Sequence, residues 1–123
     1  MKIIEINQDE IIFNNGMKIK QYHRQDCCEE VYADFSQLQD TSILEDTFNN
    51  GVFVFPHRFG FVICGDCGYN YYVPCYNIQN GYYSDRLEIS FPTKNKKEKW
   101  NHQTLNIIKK ENTYEWQKKI GMR

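Results

Sequence analysis

A chain of 123 residues with 41% hydrophobic and 15% aromatic side chains can bury one hydrophobic core, which excludes a disordered chain and a multidomain one. The net charge of −1 hides a polarity, because residues 1–93 hold 6 Lys and Arg against 13 Asp and Glu (−7) and residues 94–123 hold 9 against 3 (+6). An acidic body disfavours direct nucleic-acid binding and suits a basic protein surface, while the charged start MKIIEINQDEI and the lack of a long apolar run exclude secretory and membrane-spanning readings.

In chain order, KIIEIN and EIIFNNGMKIKQYH read as three short strands, with Asn14, Asn15 and Gly16 as the turn between the second and third. Asp26 stands where a helix N-cap belongs, and Glu29 occupies the third position of a capping box. Val31, Phe35 and Leu38 then recur at helical spacing, so one short helix is expected near 27–38. A second NNG at 49–51 introduces VFVFPHRFGFVICG, in which Pro56 predicts two strands meeting near 56–60. CGDCGYN is a tight turn, YYVPCYNI a strand, QNG a turn, and YYSDRLEISF a final strand that Pro92 should end. KNKKEK is a solvated connection. Beyond it, Leu105, Ile108, Trp116 and Ile120 fit a helix, whereas Leu105, Ile107, Tyr114 and Trp116 fit alternating strands; a helical or mixed ending is preferred. The expected fold is one α+β domain over 1–123, an antiparallel β-meander with one short helix and a basic, peripheral 94–123 segment.

Five cysteines, an odd number, with no secretory leader argue against a disulfide framework and for a reducing, cytoplasmic setting. The most specific local pattern is Cys64-Gly-Asp-Cys67-Gly, whose two thiolates can face one metal ion across a knuckle turn. It is half of a tetrahedral site, and the rest must come from His23, Cys27, Cys28, His57 or Cys75. The opening stretch is favoured, since a helix N-terminus lowers thiol pKa. The expected ligand set is therefore Cys64, Cys67, Cys28, Cys27 and His23, holding a structural Zn²⁺. Cys75 fits a core thiol. A Cys–His nucleophile lacks an oxyanion loop here, and the C-x-x-C precedes a Tyr-rich strand where redox motifs precede a helix, so no enzyme is expected.

Tyr69, Tyr71, Tyr72, Tyr82 and Tyr83 crowd two turns, and the outward ones with Arg58 and Arg86 can form a protein-binding patch or simply cover a sheet. The candidate partner-binding residues are Tyr69, Tyr71, Tyr82, Tyr83, Glu30 and Asp34.

Two blocks, YHRQDCCEEVY at 22–32 and NGYYSDRLEI at 80–89, resemble a family of small proteins encoded by phages and mobile elements. The matching residues are Tyr22, His23, Gln25, Asp26, Cys27, Cys28 and Glu29, then Asn80, Gly81, Tyr82, Tyr83 and Ser84, spanning about the first three-quarters of the chain. The CGDC turn and the basic tail depart from that pattern, and the family brings no catalytic residues. The chain is also similar to the zinc-containing type II anti-CRISPR proteins. That resemblance implies a monomeric inhibitor that binds a type II CRISPR effector nuclease in the bacterial host cytoplasm and blocks its nucleic-acid loading or activity. The alternative is a phage accessory zinc-binding module with another protein or nucleic-acid partner.

Overall fold

The computed structural model describes residues 1–24, 30–39, 42–66, 68–78 and 86–108. Nine strands follow in order: β1 Ile3–Ile6, β2 Glu10–Phe13, β3 Lys18–Tyr22, β4 Glu30–Ala33, β5 Phe53–His57, β6 Gly60–Cys64, β7 Asn70–Ile78, β8 Arg86–Lys94 and β9 Trp100–Ile108. Helical structure among the described residues is limited to two four-residue 3-10 turns, Phe35–Leu38 and Ser42–Glu45. No helix among them is long and apolar enough to cross a membrane.

Among the described residues all pairings are antiparallel and form two sheets, one ordered β1-β2-β3-β8-β9 and the other β4-β7-β6-β5. The second sheet has Greek-key order, three hairpin-linked strands with β4 lying beside the last of them. The sheets share one core: Ile11, Phe13, Ile19, Leu87 and Ile89 from the first, and Val31, Phe61, Ile63 and Val73 from the second. Phe35 and Phe48, from the segments between β4 and β5, close it with edge-on contacts to Phe61 and Phe13.

The opening hairpins form as their turn residues dictate. Asn7 Oδ1 accepts from the amides of Asp9 and Glu10 at 2.9 and 3.0 Å, turning β1 into β2. Gly16 supplies the positive φ of +87° that the β2–β3 turn requires. Pro56 breaks its segment as expected: β5 is an edge strand, where a missing N–H costs no ladder bond, and the chain reverses through Arg58 and Phe59 into β6.

Two expectations are corrected and a third is narrowed. The helix near 27–38 is not formed over its described part: Glu30–Ala33 is β4, and only Phe35–Leu38 turns helically. Val31 and Ala33 alternate inward from a strand while Phe35 and Leu38 pack inward from a 3-10 turn, which together mimic a helical stripe. That turn is capped by Asp34, whose carboxylate accepts from the Ser36 amide at 3.1 Å; the expected caps Asp26 and Glu29 lie outside the described residues. Pro92 does not end its strand, since β8 continues to Lys94. The β3 partner runs only to Ser90, so beyond that point β8 needs donors mainly toward β9, and the Pro92 carbonyl instead accepts from Val52 at 3.0 Å. Finally, of the helical or mixed ending, 100–108 is strand β9, with Ile107 buried opposite Leu87, while Tyr114, Trp116 and Ile120 lie outside the described residues. Most of the described chain is thus antiparallel sheet, and the α component of the expected α+β fold shrinks to the two 3-10 turns.

Candidate functional site

The end of β3 and the whole of β4 face each other across the gap between the two sheets. Gln21 spans that gap: its amide donates to the Ala33 carbonyl at 2.9 Å and to the Gln8 carbonyl at 3.0 Å, and its oxygen accepts from the Ala33 amide. A side chain here occupies the place of a neighbouring strand. Beside it opens a cleft of about 720 Å³, lined by Gln8, Asp9, Tyr22, His23, Glu30, Tyr32, Asp34 and Ser36 among others. Among the described residues, the lining holds three carboxylates and no Lys or Arg.

Each group is held differently. Asp34 is fixed by its cap: burial pushes its carboxyl up, but hydrogen bonds from Ser36 and Gln37 outweigh it and hold the group below the usual carboxylate range. Asp9 and Glu30 are exposed. Tyr32 leans on Tyr76, ring centroids 5.2 Å apart, and burial raises its phenol pKa, with Asp34 and Glu30 pushing the same way. His23 Nδ1 lies 2.6 Å from the Arg86 carbonyl. A carbonyl only accepts, so Nδ1 carries the proton. The result is an electronegative recess with tyrosine rings at its rim, suited to Lys and Arg side chains.

This cleft gathers three of the residues expected from sequence, His23, Glu30 and Asp34. It does not gather Cys64. Glu30 pairs with Ile78 at one end of β7, and Cys64 pairs with Asn70 at the other. The nine-residue β7 separates them by about 26 Å. Cys27, Cys28 and Cys67 lie outside the described residues, as do Tyr82 and Tyr83. Among the described residues no three His, Cys, Asp or Glu side chains gather as a metal site. His57 is exposed on β5 with its ring on Tyr72, and Cys75 packs against the core from β7.

The described part of the CGDCG turn has packing reasons of its own. A Cβ on Gly65 would stand 2.8 Å from the Phe48 ring and 2.9 Å from the Thr47 carbonyl. Asp66 accepts from the Asn49 amide at 2.8 Å, and its own amide donates to Thr47, pinning the 47–49 loop.

The tyrosines divide by strand phase. Tyr69 is 68% exposed, in keeping with a surface role, but Tyr71 is buried and is withdrawn from the partner-binding set. Its hydroxyl donates to the buried Asp46 carboxylate at 3.2 Å, whose other oxygen accepts from the Thr47 amide at 2.7 Å. Tyr71→Phe is expected to lower stability by about 1–2 kcal/mol, because a buried carboxylate oxygen loses its donor. Urea unfolding of this variant beside Tyr69→Phe, which should be silent, checks it; equal midpoints would refute the buried bond. Tyr72, one residue on, is the outward neighbour that the sequence could not separate from Tyr71, because two adjacent tyrosines fit either phase. Asp9 and Gln21 were also missed, having only the character of turn and strand-end residues in sequence.

No family model matches the chain, and no curated protein or solved structure matches it either.

Proposed function

We propose that this protein is a non-enzymatic binding module that receives a basic surface of a protein partner in the β3–β4 cleft, and that the partner is a type II CRISPR effector nuclease whose nucleic-acid loading or activity it blocks. The observation that carries the reading is the cleft lining: Asp9, Glu30 and Asp34 with no Lys or Arg among the described residues that line it. Such nucleases hold nucleic acid in a positively charged channel, which an acidic recess can engage competitively. The similarity to the zinc-containing type II anti-CRISPR proteins supplies the choice of partner, and Tyr22 and His23 of the YHRQDCCEEVY block stand in this cleft. Co-purification with purified effector nucleases, followed by target-DNA cleavage at increasing inhibitor, tests the proposal. Cleavage undiminished at large molar excess would refute it.

The β8–β9 turn, with exposed Lys96, Lys97 and Lys99, favours a second reading as an accessory module on nucleic acid. Steeply salt-dependent binding to DNA or RNA, lost when those three lysines become Gln, would select it.

A structural zinc is the second part of the proposal. The candidate ligands fall into two groups that the fold holds apart, Cys64 with Cys67 and His23 with Cys27 and Cys28, so the zinc takes its protein ligands from one group or the other. Elemental analysis of protein purified without chelator should find zinc that is lost with Cys64→Ser or with Cys28→Ser, but not with both. Less than about a tenth of an equivalent in the wild type would end the zinc proposal.

A further inference from the structure

A second recess lies on the opposite side of the β4-β7-β6-β5 sheet from the core. Phe53, Phe55 and His57 share the outward face of β5, and the register sets Phe55 beside Val62 and Val62 beside Tyr72. Phe53, Phe55 and Tyr72 are 63, 43 and 40% exposed, high for large rings. Phe55, His57, Arg58, Asn70 and Tyr72 shape a cleft of about 380 Å³ with Phe55 and Tyr72 as walls and Val62 among its lining.

The polar groups of this recess are a guanidinium, an imidazole, an amide and the Tyr72 hydroxyl, with no carboxylate among the described residues that line it. No acidic side chain among the described residues lies within ion-pair distance of Arg58. Arg58 also holds a left-handed backbone, φ +54°, at the β5–β6 turn. A residue with a Cβ pays about 1 kcal/mol for that conformation, which Gly would adopt freely. The strained turn thus carries an uncompensated cation at the mouth of an aromatic recess. Strand addition along β5 is opposed by Pro56, which lacks an N–H, so a ligand here is held by side chains on the face.

We infer that the Phe55–Arg58–Tyr72 recess is a second docking site, for a protein segment that places an aromatic or large aliphatic side chain next to a carboxylate. The apolar side chain enters between Phe55 and Tyr72, the carboxylate pairs with Arg58, and exposed Phe53 extends the contact along the segment. This site is distinct from the acidic cleft and selects the opposite charge.

Amide NMR titration of the full-length protein tests it, with the peptides acetyl-Gly-Phe-Asp-Gly-amide and acetyl-Gly-Phe-Asn-Gly-amide as probes. The Asp peptide should shift the amides of Phe55, Arg58 and Tyr72, and the Asn peptide should bind about ten-fold more weakly. Arg58→Gln should erase that preference and Phe55→Ala should weaken both peptides; both side chains are exposed, and spectral dispersion verifies their folding. Equal binding of the two peptides, a preference surviving in Arg58→Gln, or no shifts at millimolar peptide would overturn the inference. So would peptide-free shifts at these residues that grow with protein concentration, since a second copy of the chain would then be the occupant.

Discussion

Gly60→Ala is expected to destabilise the protein by about 3 kcal/mol or more, the largest effect of any single methyl group added to the described chain. Gly60 opens β6 and is buried against β7, where an added Cβ would stand 2.1 Å from the Val73 carbonyl oxygen, 3.0 Å from the Tyr72 hydroxyl and 3.1 Å from Pro74 Cα. Two of those three atoms are backbone in a central strand, so relief requires β6 and β7 to part, with Val73 and Phe61 in the core beside them. For a domain of this size the melting temperature should fall by about 10–15 °C. Gly16→Ala is the matched control. Its Cβ would meet nothing within 4 Å, so the only cost is the positive φ, about 1 kcal/mol. If the two variants melt together, the close approach of β6 to β7 is wrong.

The largest functional effect is expected from reversing the charge of the β3–β4 cleft. Asp9→Lys with Glu30→Lys replaces two exposed carboxylates by two ammonium groups and leaves the buried core and the Asp34 cap untouched. If a basic partner surface enters the cleft, attraction becomes repulsion, and inhibition of the effector nuclease should weaken by about 100-fold. Glu45→Lys with Glu98→Lys is the control, since both residues are exposed outside the cleft and the net charge change is the same. Raised salt should weaken wild-type binding and matter less for the reversed variant. A reversed variant that inhibits like its control would remove the cleft from the mechanism.

How much of this was legible in sequence depends on whether the signal was local. Asn14, Asn15 and Gly16 specify a turn by their own backbone preferences, and Pro56 specifies an edge, so the first three strands and the β5–β6 hairpin were readable. The period of an apolar stripe is weaker information. Val31, Phe35 and Leu38 are all buried, yet they come from a strand and a 3-10 turn that meet the core at one depth, and only packing distinguishes that from a helix. Pro92 misled because its tolerance depends on how far β3 extends, a fact that resides some 70 residues earlier in the chain. The site was legible in part: His23, Glu30 and Asp34 were singled out, but as members of two different sites. Their meeting follows from the pairing of β4 with β7 and from the Gln21 bridge, which no local pattern announces.

The nesting of one sheet inside the other in chain order also shapes how the protein must fold. Beyond its hairpin with β2, β3 finds its second partner only when β8 arrives, Tyr22 against Glu88, and the whole of the second sheet is made from the chain between them. The β5–β6–β7 hairpins have short turns and can zip early, whereas the β3–β8 ladder must close a very long loop. During synthesis the β1–β3 ribbon therefore leaves the ribosome first and waits longest, with the open edge of β3 exposed. The pairing of Gln21 and Tyr22 with β8, and the His23–Arg86 contact, are thus expected to form last, so the β8 side of the cleft is completed late in folding. Slow acquisition of the site is expected even where most of the sheet forms quickly.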